Sequence, residues 1–244
     1  WGRDDQGQLG DDAVLVNKPT PVQVAVLTGI TALAGGAKHS LALKNNGTVW
    51  SWGGDSSGEL GDDIALVQKP TPVQVAVLTG ITAIAAGWNF SLALKNDGTV
   101  WSWGNDANGH LGDDAALVNK PTPVQVADLT GITAIAAGSG ASLALKNHGT
   151  VWSWGNDNEG QLGDDAALLQ KPTPVQVAVL TGITAIAGGG SHSLALKNDG
   201  TVWSWGDDLE GQLGDDVARL DKPTPVQVAD LTGITAITAG NVHS

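Results

Sequence analysis

The sequence repeats itself five times at a constant interval, and this repetition constrains the fold more than any other feature. A tryptophan followed by glycine stands at Trp1, Trp52, Trp103, Trp154 and Trp205, 51 residues apart. The segments Lys-Pro-Thr-Pro-Val-Gln-Val-Ala and Leu-Thr-Gly-Ile-Thr-Ala recur five times in the same register. Repeats of this length are typical of architectures in which each unit buries its apolar surface against its neighbours.

Four short strands are predicted in each repeat, with turn signals between them. In the second repeat these strands cover residues 81–86, 91–95, 99–103 and 123–127. Asn96-Asp97-Gly98 indicates a tight hairpin, because its glycine can adopt a positive φ. No apolar pattern with a period of 3.6 residues indicates helices. We therefore predict an all-β fold, a β-propeller built from four-stranded antiparallel blades.

The fifth repeat is incomplete in this sequence. Five full repeats would need 255 residues, 11 more than the 244 of the chain, and one copy of Leu-Ala-Leu-Lys-Asn-Asp-Gly-Thr-Val-Trp-Ser is missing. We expect one propeller domain over residues 1–244 with four complete blades and a split fifth, whose outer strand precedes them and whose inner strand follows. The chain is interpreted as a fragment of a longer protein, or as a unit that self-associates to complete the ring.

The motifs resemble the repeats of the regulator of chromosome condensation. Residues 188–214 carry nearly the whole pattern, from Ala-Gly through His-Ser-Leu-Ala-Leu-Lys and Asp-Gly-Thr-Val-Trp-Ser-Trp-Gly to Gly-Gln-Leu-Gly. The resemblance implies a propeller, typically of seven blades, that binds other proteins, and it includes nucleotide exchange on a small GTPase. The repeats look bacterial in style and similar to those of secreted propellers, which implies a secreted or cell-surface location.

Composition and charge exclude several classes of function. The formal net charge is −13, and no stripe of Lys or Arg could neutralise phosphates, so nucleic acid is not expected as a partner. The chain has no cysteine, and no apolar run approaches the length of about 20 residues that spans a bilayer, so membrane insertion is not expected.

Catalysis, metals and cofactors are not predicted. The Asp pairs after Leu-Gly, such as Asp62-Asp63, lack the alternating ligands of calcium loops and favour turn formation instead. His39, His192 and His243 occupy equivalent repeat positions and favour a structural role over metal binding. No nucleophile motif is present. An enzyme is therefore not expected.

Two sets of loops differ among the five copies: the short loops after Ala-Gly and the linkers after Trp-Gly. Alternating strand directions place both sets on one face, and drift in exposed loops is the alternative to selection for binding. Trp88, the one tryptophan outside the repeated motif, shares a loop with Phe90, the single phenylalanine. Because aromatic residues often anchor interfaces, we predict a partner-binding set of Trp88, Asn89, Phe90, Lys38, His39, Arg3, Ser139, Ser191, His192 and Asn241. Phe90 takes the place of the repeat histidine, so inward packing is its alternative role.

The leading hypothesis is a non-enzymatic scaffold that binds a protein partner of unknown identity through this face. A carbohydrate-binding surface adhesin, in which Trp88 stacks on a sugar ring, is one alternative. An architectural repeat array that self-assembles into a homo-oligomer is another. Exchange-factor activity is less favoured, because the uniform 51-residue spacing leaves no insertion to form a wedge between blades.

Overall fold

The computed structural model describes residues 1–12, 15–63, 66–115, 117–166, 169–216 and 220–244. The chain folds into two compact units. The first comprises Trp1–Ala107 with Val118–Gln125, and the second comprises Asn108–Leu117 with Val126–Ser244. Across the described ranges, no helix is both long and apolar enough to cross a membrane.

The first unit contains two antiparallel four-stranded sheets, which we call blades 1 and 2. Strand order in each sheet follows the sequence, so neighbouring strands are joined directly. Blade 1 consists of β1 (Ile30–Gly35), β2 (His39–Lys44), β3 (Val49–Gly53) and β4 (Lys69–Gln74). Blade 2 consists of β5 (Ile81–Ala86), β6 (Phe90–Lys95), β7 (Val100–Gly104) and β8 (Lys120–Gln125).

The second unit repeats this arrangement in blades 3 and 4, with the same sequential strand order. Blade 3 consists of β9 (Ile132–Ala137), β10 (Ala141–Lys146), β11 (Val151–Gly155) and β12 (Lys171–Gln176). Blade 4 consists of β13 (Ile183–Gly188), β14 (His192–Lys197), β15 (Val202–Gly206) and β16 (Lys222–Gln227).

The outermost strand of each blade carries the two prolines of Lys-Pro-Thr-Pro. In blade 2 this strand begins at Lys120, earlier than predicted, and forms the outer edge of its sheet. The register jumps from Gly104 paired with Lys120 to Ser102 paired with Val124. Residues 121–123 therefore form a bulge, which accommodates residues that lack a backbone N–H.

Apolar side chains from two successive blades form the core of the first unit. Trp103 of blade 2 is fully buried against Leu41, Leu43 and Val49 of blade 1, and Trp101 packs against the same cluster. The strand of small residues, β5, lies against β1 and β2. The second unit has an equivalent cluster around Trp205. The repeated tryptophans therefore hold neighbouring blades together within each unit.

The two strands predicted for the split fifth blade do not form, and that expectation was wrong. Residues 19–24 form no strand, and only an isolated bridge joins Gly2 to Lys18. Residues 234–240 also form no strand, although their sequence nearly matches β13. A strand requires a hydrogen-bonded neighbour, and the two middle strands that would pair with these segments are the copy that this sequence lacks.

In blades 1, 3 and 4, a lysine at the start of the fourth strand pairs with the first aspartate of the linker's Asp pair. The Lys69 ammonium lies 2.8 Å from Asp62, the first aspartate of its pair, and Lys171 lies 3.1 Å from Asp164 and 3.8 Å from Asp157. The second aspartate of each pair has a positive φ, for example 58° at Asp63. The aspartate pairs thus combine an ion pair with a left-handed turn residue.

A valine occupies a left-handed position in three of the five repeats. Val77 has a φ of 51° and is 80% exposed, whereas Asp128 occupies the equivalent position in the next repeat, also with a φ of 51°. β-branched residues are strained there, while aspartate tolerates this conformation. The substitution Val77→Asp is therefore expected to raise the free energy of unfolding by about 1 kcal/mol.

Urea denaturation measures this prediction directly. Val67→Asp provides the matched control, because Val67 is also exposed but does not have a positive φ. No gain at position 77, or an equal gain at position 67, would show that backbone strain is not the cause.

Candidate functional site

The exposed aromatic ring of Trp88 lies in the short loop between β5 and β6. Its side chain is 52% exposed. Backbone hydrogen bonds hold the loop on both sides: Gly87 N donates to Phe90 O at 2.9 Å, and Asn105 N donates to Asn89 O at 2.9 Å. The tryptophan therefore projects from a loop whose backbone is already ordered.

The equivalent loop of blade 1 lies directly beside Trp88. Ala37 N donates a hydrogen bond to Trp88 O at 3.1 Å, and Gly54 N donates to Lys38 O at 2.7 Å. The Lys38 side chain is exposed. We call Ala37, Lys38, Trp88 and Asn89 the Trp88 surface. It brings a loop with an exposed aromatic ring beside a loop with an exposed cation, in a chain that is otherwise strongly acidic.

Three of the predicted partner-binding residues are buried: His39, Phe90 and His192. A Cβ added to Gly36 or Gly87 would overlap the ring of His39 or Phe90, respectively, so each ring packs under its own loop. His39 Nε2 lies 3.0 Å from Ser91 Oγ, which donates to Glu59 O at 3.1 Å. The rings of His39 and Phe90 therefore pack against the buried side of their loops and support the loop backbone.

The remaining predicted residues differ in position and exposure. Arg3 is exposed and forms an ion pair with Asp5 at 2.5 Å. Ser139, Ser191 and Asn241 belong to the second unit, where Ser139 N donates to Gly189 O at 3.0 Å and Asn241 O accepts from Gly190 N at 3.1 Å. Arg219, a further linker base, lies outside the described residues.

Burial shifts the pKa of several groups beneath the loops. It lowers the pKa of His39 to about 4, and it lowers that of His192 as well. Burial raises the pKa of Asp55 and of Asp157 to about 6, against the hydrogen bonds that their carboxylates accept from Leu60 and Leu162. Acidification therefore destabilises the fold through the two histidines and stabilises it through the two aspartates.

The substitution His39→Phe is expected to weaken the acid sensitivity of folding. The folded chain excludes the proton that an unfolded histidine binds near pH 6.5, so stability is present above that pH and is lost as the pH falls toward 4. A pKa difference of this size corresponds to about 3 kcal/mol. Removing His39 should remove that loss, and phenylalanine already occupies the equivalent position at Phe90.

Urea denaturation from pH 7 to pH 4, compared between the original chain and the variant, isolates this contribution. Asp55 and Asp157 act with the opposite sign, because a raised pKa gives stability that is lost as the pH rises through about 6. Their effect is common to both proteins and cancels in the difference. Identical pH profiles would contradict the structural role assigned to His39.

Sequence reasoning missed five buried aspartates in the linkers. One residue separates each of them from the preceding Trp-Gly, and each is nearly inaccessible to solvent. They are Asp4, Asp55, Asp106, Asp157 and Asp208. Asp55 Oδ1 accepts from Leu60 N at 3.0 Å, and Asp157 Oδ1 accepts from Leu162 N at 2.9 Å. Their exact 51-residue spacing was the available signal, hidden by the variable residues around them.

The candidate metal ligands among the described residues do not cluster. Among the residues that the structure describes, no group of three or more His, Cys, Asp or Glu side chains converges on a common point. Four of the five buried aspartates, Asp4, Asp55, Asp157 and Asp208, accept a hydrogen bond from a leucine backbone N–H five residues later, which is a structural arrangement. Lysine also lies near Asp4 and Asp157.

Comparison with known proteins identifies relatives over the whole chain. A family model for the RCC1-like domain matches residues 1–244. The human E3 ubiquitin-protein ligase HERC2 is 33% identical over 251 residues, which cover 100% of this chain and 5% of HERC2. Prp20p from Saccharomyces cerevisiae has a TM-score of 0.77 at 26% identity, covering 95% of this chain and 58% of that chain. Human WBSCR16 has a TM-score of 0.86 at 23% identity, covering 97% and 63%.

These comparisons confirm the resemblance to regulator of chromosome condensation repeats and the all-β propeller fold with four-stranded antiparallel blades. The chain spans only a small part of HERC2 and about three fifths of the two solved chains. All three relatives are eukaryotic, so the expected bacterial character of the repeats gains no support from them. The single domain over residues 1–244 and the partner-binding residues stay predictions.

Proposed function

Since the chain belongs to the RCC1-like domain family, we propose that it is a non-enzymatic scaffold that binds a protein partner through its variable loops. The Trp88 surface is the centre of this contact. The observation that carries the proposal is the 52% exposure of Trp88 on a loop whose backbone is hydrogen-bonded on both sides. A large side chain on an ordered loop loses little conformational freedom when it binds.

The chemistry of the Trp88 surface favours a protein over other partners. The ring offers apolar area of the aromatic kind that is enriched in protein interfaces, and Lys38 and Asn89 offer the polar groups of an interface rim. The net charge of −13 opposes contact with nucleic acid. Among the similar proteins, Prp20p is described by its binding to Gsp1p and histones, and Prp20 also forms a complex with Kap60, so those partners are proteins.

The buried residues of the predicted set serve this surface indirectly. Phe90 and His39 fill the space under their loops, and thereby position Trp88 and Lys38. The exposed residues Lys38 and Trp88, with the partly exposed Asn89, make the contact itself. In the second unit, Ser139, Ser191 and Asn241 occupy equivalent loops without an aromatic ring. We assign them a secondary part in binding.

The substitution Trp88→Ala is expected to weaken partner binding at least about 30-fold, the effect of removing an interface anchor. Affinity capture with the 244-residue chain, followed by quantitative mass spectrometry and titration of the captured protein, measures the change. Leu66→Ala is the matched control, because Leu66 is similarly exposed in the same unit. Alanine already occupies the equivalent loop position at Ala37, so the fold should be retained.

A glycan array distinguishes the carbohydrate-binding alternative. Trp88 beside Asn89 is also an arrangement that could stack on a pyranose ring and bind its hydroxyl groups. Binding to glycans that is lost with Trp88→Ala, without capture of any protein, would replace the protein-binding proposal. Capture that is equal for Trp88→Ala and the original chain would contradict a role for the Trp88 surface.

A further inference from the structure

The turn between β2 and β3 of blade 1 differs in sequence from the equivalent turns of the other blades. It contains Asn46 followed by Gly47. At the position of Asn46, blades 2 and 4 have Asp97 and Asp199, and blade 3 has His148. Asn46 is exposed, and Gly47 is partly exposed. Because glycine has no Cβ, the amide of an asparagine that precedes it is poorly shielded from the next backbone nitrogen.

The neighbouring lysine takes a different position when the turn contains an aspartate. In blade 2, Lys95 Nζ lies 3.1 Å from Asp97 Oδ2, and blade 4 has the same ion pair at 3.3 Å. In blade 1, Lys44 Nζ lies over the Trp50 ring, 5.5 Å from its centroid. Blade 3, where His148 replaces the aspartate, has the same stacking at 4.2 Å. The position of the lysine therefore follows the presence of a carboxylate in the turn.

The indole N–H of the stacked tryptophan follows the same pattern. In blade 2, Trp101 Nε1 donates to Thr99 Oγ1 at 3.3 Å, and Thr99 Oγ1 donates to Asp97 Oδ1 at 2.6 Å. In blade 1, Trp50 Nε1 is buried and has no acceptor among the described residues. The turn of blade 1 thus lacks both an ion pair and a hydrogen bond that an aspartate accompanies in blade 2.

The side-chain amide of Asn46 is held by two donors from one residue. Thr48 Oγ1 donates to Asn46 Oδ1 at 2.8 Å, and Thr48 N donates to the same oxygen at 3.2 Å. Negative charge develops on this oxygen when a nucleophile attacks the amide carbon, so both donors stabilise the tetrahedral intermediate. The nearest nucleophile along the chain is the backbone nitrogen of Gly47.

A hydrogen bond within the turn opposes this attack. Gly47 N donates to Lys44 O at 2.9 Å, and the nitrogen becomes available only when that bond opens. Exposed turns open locally at a small fraction of the free energy of global unfolding. The second Asn-Gly sequence of the chain, Asn108-Gly109, is packed more tightly, because Gly109 is buried and a Cβ on it would lie 2.7 Å from Pro172 Cα. It therefore opens less readily.

We propose that Asn46 is a site of spontaneous deamidation, which acts as a charge switch for the turn of blade 1. Gly47 N, after losing its proton to hydroxide, forms a bond to Asn46 Cγ, and the Cγ–Nδ2 bond breaks as ammonia leaves. Water then opens the cyclic imide at either carbonyl carbon, which yields aspartate or isoaspartate. Water is consumed and ammonia is released, with no change in oxidation state.

The aspartate product gives blade 1 the turn of blade 2. Its carboxylate draws Lys44 from the Trp50 ring into an ion pair, as Asp97 does with Lys95. The turn joins the ends of β2 and β3 that lie opposite the loop of Lys38. The switch is therefore separate from the Trp88 surface and does not rest on the proposed function.

Peptide mapping by mass spectrometry of the folded 244-residue chain, incubated at mildly alkaline pH, tests this proposal. We expect Asn46 to convert at least about 10-fold faster than Asn108, since local opening is rarer where the following glycine is packed. Conversion should slow at mildly acidic pH, because the attacking nitrogen must lose its proton. The variant Thr48→Val keeps the β-branched shape without the hydroxyl donor and should slow the conversion several-fold. Equal rates at Asn46 and Asn108, an intact Asn46, or an unchanged rate in Thr48→Val would overturn the proposal.

The variant Asn46→Asp reproduces the aspartate product and tests the switch separately. A crystal structure of this variant should place Lys44 Nζ in an ion pair with the new carboxylate and away from the Trp50 ring. The reciprocal variant Asp97→Asn is the matched control, and it should move Lys95 over the tryptophan of its own blade. Lys44 still stacked on Trp50 in Asn46→Asp would contradict the switch.

Discussion

Replacing Trp103 with alanine is expected to lower the free energy of unfolding by about 3 to 5 kcal/mol, the usual range for a fully buried tryptophan. The ring is completely buried between blades 1 and 2, against Leu41, Leu43 and Val49. Its Nε1 also donates to Glu59 O at 2.8 Å. That carbonyl keeps the hydrogen bond from Ser91 Oγ at 3.1 Å, so loss of packing dominates the effect. Urea denaturation monitored by far-UV circular dichroism measures it.

Trp1→Ala is the matched control for this prediction. Trp1 occupies the same repeat position as Trp103 but is 74% exposed, so its removal should leave stability nearly unchanged. Trp101→Ala, which removes the partly buried tryptophan of the same strand, should give an intermediate loss. Similar losses for Trp103→Ala and Trp1→Ala would contradict the assignment of the repeated tryptophan as the contact that joins blades.

The substitution Lys69→Met should lower the free energy of unfolding by about 2 to 4 kcal/mol, less than a fully buried ion pair because Lys69 retains some solvent exposure. Its ammonium lies 2.8 Å from Asp62, whose side chain is almost completely buried. Asp55 is buried nearby, and Lys69 favours its charged form. Without the lysine, two buried carboxylates face each other across the linker.

A double variant separates the charge effect from the loss of packing. Because the double variant leaves one buried carboxylate, Asp55, in place of two that repel each other, Asp62→Asn combined with Lys69→Met should be more stable than Lys69→Met alone. Urea denaturation at pH 7 compares the three proteins. A double variant that is less stable than the single one would show that the ion pair does not order the linker.

The fold was predictable from one sequence because the five copies of the repeat can be compared with one another. Residues that recur at 51-residue spacing, such as Trp103 and the Lys-Pro-Thr-Pro segment, correspond to core and edge positions in every blade. The strand limits shifted where backbone geometry departs from regular pairing, as at the bulge opposite Trp103. The split fifth blade was predicted to contribute strands, and it did not, since strand formation depends on a neighbour that local sequence cannot show.

The candidate site was only partly predictable. The unusual loop of Trp88 and Phe90 stood out by composition, but burial separated them: Trp88 points to solvent, while Phe90 and His39 pack beneath their loops. Sequence variation among repeats cannot distinguish these two cases, because both positions vary. The buried aspartates were overlooked for the opposite reason. They are constant residues within linkers whose neighbours differ in every copy, and an expectation of polar, exposed linkers hid them.

Photo-cross-linking at position 88 tests the central proposal most directly. The 244-residue chain carries p-benzoylphenylalanine in place of Trp88, or in place of Leu66 as the control, and mass spectrometry identifies the protein joined to each site. We expect adducts with one protein partner at position 88, and none with that protein at position 66. Adducts with the same protein at both positions, or at position 66 alone, would contradict binding through the Trp88 surface.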